Sequence, residues 1–421
     1  MSQDVRTLVT DLARRAKGGA RVVGRADTGR KNAVLRRAAA ELRGQARGRV
    51  LDANQKDLAA AEENGLTRAM VDRLRLDEAR LDGVAAGIEQ VVALPDPVGE
   101  VVRMRRLPSG LQVGQMRVPL GLVGIIYESR PNVTADAAAL CIKSGNGVLL
   151  RGGKEAFHSN TALADVFARA LAEEGLPSEA VSLVPTTDRE AALVMIGLED
   201  VLDLVIPRGG EALIRFVAEN ARVPVVKHYK GVCHVFVSGR ADLDKAVAIA
   251  VNAKAQRPGV CNAMETLLVD RACAAEFLPR VAAELRDAGV ELRGDEAVVA
   301  AVPWAKEANE EDWGAEFLDL VLAVRVVDGL EGALAHVERY GSNHTESIVT
   351  ESYGEAQRWL NEVDASCVLV NASTRFNDGF ELGLGAEMGI STSKMHAYGP
   401  MGLAELCALK WIAYGDGQIR T

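Results

Sequence analysis

Three observations predict an α/β fold with parallel, doubly wound sheets. From Val118 onward, short β-branched apolar runs alternate with helical patterns. The runs recur roughly 25–30 residues apart, the length that a βαβ crossover requires. Two of them end in glycine-rich, basic turns that open a helix, Arg151-Gly-Gly-Lys-Glu155 and Pro207-Arg-Gly-Gly-Glu211. Such sheets bind ligands beyond the carboxyl ends of their strands.

Residues 1–100 read as helices. Leu8-Val-Thr-Asp-Leu-Ala, Ala33-Val-Leu-Arg-Arg-Ala-Ala-Ala-Glu-Leu and the 58–64 stretch place apolar residues three and four apart, with Arg and Glu on the other faces. Leu94-Pro-Asp-Pro-Val ends the region, because prolines one residue apart cannot continue a helix. Residues 101–115 read as a hairpin outside the core. Strands are then predicted at 122–127, 147–151, 181–184, 202–206 and 223–226. The intervening helices are 134–143 (capped by Thr134), 154–174, 189–198 and 211–221. A second α/β region follows, with helices at 242–254, 274–287, 330–340 and 353–363 and strands at 264–269, 318–326, 347–350 and 367–370. A charged loop spans 302–311. The apolar tail, 406–414, reads as a terminal strand that needs a partner edge, which suggests another copy of the chain.

Composition narrows the function. With 421 residues, the chain exceeds one ordinary core, and two or three domains are expected. A net charge of −9 argues against a general nucleic-acid binder, and only 4% aromatic residues argues against base stacking. No apolar run reaches membrane-spanning length and the N-terminus is unlike a signal peptide, so a soluble, cytoplasmic protein is expected. The six cysteines, Cys141, Cys233, Cys261, Cys273, Cys367 and Cys407, form no CxxC pair and no metal-ligand spacing. A reduced setting and no metal are therefore expected.

Chemistry concentrates at Ala255-Gln-Arg-Pro-Gly-Val-Cys261-Asn-Ala-Met-Glu-Thr-Leu-Leu-Val-Asp270, where a helix, a tight loop, a cysteine and a strand follow one another. Loops on rigid elements are where reactive side chains sit, and the cation of Arg257 favours a thiolate. The alternative is a small buried thiol. At the two basic turns, glycines admit a ligand to the backbone and helix N-termini favour phosphate; Arg151 and Lys154 supply the charge a 2′-phosphate needs. Each turn is also readable as purely structural. Two polar clusters, Gly341-Ser-Asn-His-Thr-Glu346 and Asn371-Ala-Ser-Thr-Arg-Phe-Asn-Asp378, suit a small amino-acid or carboxylate substrate, or equally caps and Asx turns.

The two basic turns and the Cys261 stretch, with Val118-Pro-Leu-Gly-Leu-Val-Gly-Ile-Ile-Tyr-Glu-Ser-Arg-Pro-Asn-Val-Thr-Ala-Asp136 and Gly383-Leu-Gly-Ala-Glu-Met-Gly-Ile-Ser-Thr-Ser-Lys-Met-His396, resemble the aldehyde dehydrogenase superfamily. Within it they are similar to a branch that reduces the acyl phosphate of glutamate for proline synthesis. The likeness runs over essentially the whole chain. It implies NADPH as cofactor, L-glutamate 5-phosphate as small-molecule substrate and Cys261 as a nucleophile forming a thioester. It also implies Ser129 at the position of the superfamily's oxyanion-binding Asn, and Glu316 at that of the glutamate holding the nicotinamide ribose. Arg151, Gly152, Lys154, Arg208, Gly209 and Gly210 are assigned to the cofactor, and Asn343, His344 and Glu387 to the substrate, Glu387 facing its ammonium.

Two departures stand out. Hydrolytic members carry a Glu base where this chain has His228-Tyr-Lys-Gly231, as suits a reductase that must not hydrolyse its thioester. His228 and His234 read first as structural. Tyr398 replaces a usual Arg, which removes a cation that holds carboxylate or phosphate.

The expected architecture is aldehyde-dehydrogenase-like. It comprises a parallel cofactor-binding domain (1–104 and 118–227), an α/β catalytic domain (228–395) and a small β oligomerisation element (105–117 and 396–421). The expected partners are further copies of the chain and, by functional coupling, the kinase that makes the acyl phosphate.

Overall fold

A computed structural model describes residues 3–420. The chain divides into two compact units. The first takes the described residues of Met1–Lys227, Gly383–Gly389 and Met401–Thr421; the second takes His228–Leu382 and Ile390–Pro400.

The first unit opens with five helices, α1 (Gln3–Val23), α2 (Thr28–Arg43), α3 (Arg47–Glu63), α4 (Arg68–Leu74) and α5 (Glu78–Ala93). Asp27 and Asp77 cap α2 and α5 by accepting from the N–H three residues on, satisfying otherwise orphaned donors. Strands β1 (Val101–Arg106) and β2 (Gln112–Pro119) form the expected hairpin. There follow β3 (Leu122–Tyr127), α6 (Asn132–Lys143), β4 (Gly147–Gly152), α7 (Phe157–Glu173), β5 (Val181–Leu183), α8 (Arg189–Ile196), β6 (Leu204–Arg208) and α9 (Glu211–Asn220). The sheet runs β5-β4-β3-β6, all parallel. Leu122, Ile126, Leu149 and Val205 on its strands pack with Val9, Ala13, Met195 and Val217 from α1, α8 and α9 in one apolar core.

Two local expectations fail in this unit. Residues 223–226 make a single bridge, Val205 with Val225, because Pro224 cannot donate to a ladder. Helix α6 begins at Asn132, so Thr134 is no cap; its hydroxyl instead bonds Tyr127 (2.6 Å) and Asn160 (3.0 Å) inside the core.

The second unit contains β7 (Cys233–Val237), α10 (Leu243–Ala255), β8 (Met264–Asp270), α11 (Arg271–Asp287), β9 (Glu291–Gly294), α12 (Glu296–Ala301), β10 (Lys306–Glu307), β11 (Val321–Val327), α13 (Gly329–Tyr340), β12 (Thr345–Val349), α14 (Tyr353–Glu362) and β13 (Cys367–Val370), then short β14 (Ile390–Ser391) and β15 (Gly399–Pro400). Its parallel sheet has the order β10-β9-β11-β8-β7-β12-β13. The strands are apolar on both faces because helices cover both. Val235, Leu267 and Val324 pack with α10 and α11 residues such as Ala250 and Phe277, and Phe236 and Leu268 pack with Trp359 of α14 and Val337 of α13. Strand β11 starts at Val321, three residues later than predicted, since Leu318 takes a left-handed φ of 53°.

The C-terminal strand β16 (Cys407–Tyr414) pairs antiparallel with β2 in the first unit, giving a β1-β2-β16 sheet. That sheet exposes Val101, Met104, Leu409, Trp411 and Tyr414.

Candidate active site

Cys261 lies in the loop joining α10 to β8 and is partly exposed. Strands β8, β7 and β12 are neighbours in that order, and all point the same way. Adjacent strands lie about 4.8 Å apart, so residues just before each strand converge on one edge of the sheet. Cys261 precedes β8, His228 precedes β7 and His344 precedes β12. One nitrogen of each imidazole and the Cys261 sulfur lie within 4.8 Å of one another.

Hydrogen bonds engage Nδ1 of both imidazoles. His228 Nδ1 is 2.8 Å from the Ile390 carbonyl, which only accepts, so Nδ1 carries the proton and Nε2 a lone pair. His344 Nδ1 lies 2.7 Å from Thr345 Oγ1 and 3.6 Å from Cys233 Sγ. Asn377 Nδ2 donates to the same Thr345 oxygen (2.7 Å), and the Cys233 thiol donates to the Cys261 carbonyl (3.1 Å). The fully buried His344 Nε2 has no hydrogen-bond partner. Burial, with His228 alongside, pushes His344 down to about 3, so it is neutral.

Two contacts hold the cysteine in place. A Cβ on Gly231 would fall 2.0 Å from the Cys261 carbonyl oxygen, so only glycine fits there. The Gly231 N–H donates to Glu316 Oε1 (2.9 Å). On the other side Arg375 donates to Asn262 and, at 2.9 Å, to Gln256, and its charge interacts with Cys261 and Arg257. A cation so placed favours the thiolate. Asn262 in turn donates to the Asn377 carbonyl (2.9 Å), which closes the network back to Thr345 and His344.

Beneath this edge, Lys254 and Glu265 form a fully buried pair 2.6 Å apart, and Glu265 also accepts from the Leu318 N–H at 3.1 Å. Burial drives Lys254 down and Glu265 up, while their mutual attraction opposes both shifts.

Of the residues assigned to the cofactor, Arg151, Gly152, Lys154, Arg208, Gly209 and Gly210 lie in the first unit, at the carboxyl ends of β4 and β6, and Glu316 lies in the second. Gly210 caps α9 with open space where a Cβ would stand, and its N–H donates to Glu128 Oε2 (3.2 Å). Gly209 is packed on Glu128, and Arg208 against Gly389. Arg151 Nη2 donates to the Thr187 and Asp188 carbonyls (3.1 and 3.2 Å), leaving its buried Nε without a partner. A second orphan, Asn160 Nδ2, sits where a Cβ on Gly152 would fall. Lys154 is exposed. Orphaned donors and open glycine backbone at strand ends fit a dinucleotide.

Ser129, at φ 46°, donates both its N–H (2.6 Å) and its hydroxyl (2.9 Å) to Glu155 Oε1. Of Asn343 and His344, the substrate-set residues of the second unit, His344 joins the cysteine. Asn343, exposed at φ 58°, donates to the Asp364 carbonyl (2.5 Å), and Glu387 lies in the Gly383–Gly389 segment of the first unit. Tyr398 donates to Asp364 Oδ1 (3.1 Å), which also pairs with Lys394 (2.7 Å). His234 is structural: fully buried, it bonds Glu346 at 2.8 Å. Sequence reasoning left His228 as structural and did not single out Arg375 or Gly231. The one signal for His228 and Gly231 was their place before a strand start, and for Arg375 its charge in a polar loop.

Comparison with known proteins bears on the family. Residues 9–315 match the model of the aldehyde dehydrogenase family. The chain is 55% identical to the gamma-glutamyl phosphate reductase of Geobacter metallireducens, over 100% of this chain and 99% of that one. It is 58% identical to that of Sorangium cellulosum, over 99% of each. The crystal structure of gamma-glutamyl phosphate reductase from Thermotoga maritima superposes with a TM-score of 0.96 at 45% identity, covering 98% of this chain and 100% of the other.

Proposed function

The chain belongs to the aldehyde dehydrogenase family, and from that premise we propose that it reduces L-glutamate 5-phosphate to L-glutamate 5-semialdehyde with release of phosphate. The observation that carries the reading is the setting of Cys261, a partly exposed thiol beside two imidazoles and the Arg375 cation.

The Cys261 proton passes to His228 Nε2, the more exposed of the two imidazoles, while Arg375 favours the thiolate. The sulfur attacks the acyl-phosphate carbonyl, the C–O bond to phosphate breaks, and a thioester remains on Cys261. A bound nicotinamide cofactor, NADPH in this reading, supplies the hydride that reduces that thioester. The resulting thiohemiacetal collapses, the C–S bond breaks, and the thiolate is regenerated as the aldehyde leaves. No carboxylate base stands at this position, and His228, once it holds the Cys261 proton, has no lone pair with which to activate water against the thioester.

Gly209, Gly210 and the first turn of α9 approach the dinucleotide with backbone, and Arg151, Arg208 and Lys154 provide its phosphate charges. Lys154, exposed to solvent, is the cation that meets a 2′-phosphate. Glu316, which accepts from the Gly231 N–H, would hold the nicotinamide ribose. Ser129 serves the oxyanion only once its hydroxyl leaves Glu155. Asn343 and Glu387 serve the substrate's polar end. The β1-β2-β16 sheet, with its exposed apolar side chains, joins copies of the chain into an oligomer.

The reading is tested by running the reaction backward with glutamate semialdehyde and either NADP or NAD, with and without phosphate. Reduction of NADP that needs phosphate is expected. Equal rates without phosphate mark a hydrolytic dehydrogenase instead.

A further inference from the structure

The cluster that activates Cys261 is also a set of soft metal ligands, which no spacing in the sequence suggested. His228, Cys261 and His344 are separated by 33 and 83 positions, yet their ligand atoms lie within 4.8 Å of one another. Both imidazoles have Nδ1 committed, His228 to the Ile390 carbonyl at 2.8 Å and His344 to Thr345 at 2.7 Å. With Nδ1 hydrogen-bonded in both, Nε2 is the nitrogen through which each would ligate, as outer hydrogen bonds impose on metal-bound histidines. The independent sign is His344 Nε2, an orphaned polar atom of a fully buried side chain that points into the cluster.

We propose that Cys261, His228 and His344 bind one thiophilic divalent cation, best fitted by Zn²⁺, and that filling this site blocks the nucleophile. One thiolate and two imidazoles with a fourth position open is a common tetrahedral zinc arrangement. Ligands at about 2.0–2.3 Å from the ion stand about 3.3–3.6 Å apart, so the cluster closes by roughly 1.5 Å at most. Cys261 is on a loop and partly exposed, which allows both that movement and entry of the ion. Binding exchanges the thiol proton for the metal and ties up the electron pair that attacks substrate. The nearby Arg375 charge opposes the cation, which sets the affinity below that of a structural zinc site.

The metal site rests on geometry alone; only its inhibitory effect rests on the function proposed above. The test is competition for Zn²⁺ between the full-length chain and a chromophoric chelator, with Co²⁺ absorption as a second readout. One Zn²⁺ per chain is expected, with a thiolate-to-cobalt charge-transfer band. Affinity should fall about 10–100-fold or more in Cys261→Ser and in His344→Ala, and stay unchanged in Cys367→Ser. Cys261→Ser alters one partly exposed atom, so it keeps the test decisive if the buried His344→Ala fails to fold. Activity lost to Zn²⁺ should return on chelation. No binding, or binding of equal strength in Cys261→Ser, overturns the proposal. Binding that needs Cys261 but leaves turnover intact supports the site and counts instead against the cysteine as nucleophile.

Discussion

The glycine turns of the first unit and the cysteine edge of the second lie at opposite ends of their parallel strands. In the first, Gly152, Gly209 and Gly210 follow β4 and β6, where helix N-termini present N–H groups. In the second, His228, Cys261 and His344 precede β7, β8 and β12, and reach one another by strand order rather than by sequence. Backbone can recognise a ligand from a contiguous stretch. Side-chain chemistry needs several groups of different type, and neighbouring strands supply them from distant positions. The first edge is thus built to bind, and the second to react. Damage to each should register differently.

The largest expected effect is on the second unit's foundation. Lys254→Met leaves Glu265 buried without its partner and should cost about 3–5 kcal/mol in denaturant unfolding. Lys254→Met with Glu265→Leu should recover most of that loss, whereas an equally unstable double variant would show that the pair is not the cause.

Next is Gly231→Ala. The added Cβ must displace the Cys261 carbonyl, and a shift near 1 Å costs about 100-fold in turnover. Normal circular dichroism with kcat down and cofactor KM unmoved would sharpen the contrast; unchanged kcat would break it. In the first unit Lys154→Ala should do the reverse, raising the KM for NADPH about 10-fold, or about 1.4 kcal/mol, with kcat retained. A KM for NADH should stay as it was.

The smallest effect concerns pH. Burial pushes Asp136 up to about 6, against the Asn132 hydrogen bond and the field of Arg208. A carboxyl with a raised folded value holds its proton more tightly when folded. Its contribution therefore favours folding in acid and is lost as pH rises through about 6. Asp136→Asn should gain stability relative to the parent between about pH 4 and about pH 7, followed by chemical denaturation; a constant difference across that range would contradict the shift.

The same contrast explains what the sequence disclosed. Helix–strand alternation, the hairpin at 101–115 and the terminal strand were legible because each is local periodicity. The glycine turns and Cys261 were legible because turn chemistry is local too. His228 was not, since its role depends on β7 lying beside β8 in the sheet order. Arg375 was visible only as a cation in a polar loop, and Gly231 as one glycine among 40. The strand expected at 223–226 failed for a local reason, Pro224, that alternation alone conceals.

The central claim is that Cys261 is the atom to which substrate becomes attached. It is tested most directly by phosphate-dependent NADP reduction with glutamate semialdehyde in Cys261→Ala. The account predicts that turnover disappears while circular dichroism and NADP binding stay those of the parent. Turnover that persists in the folded variant would contradict it.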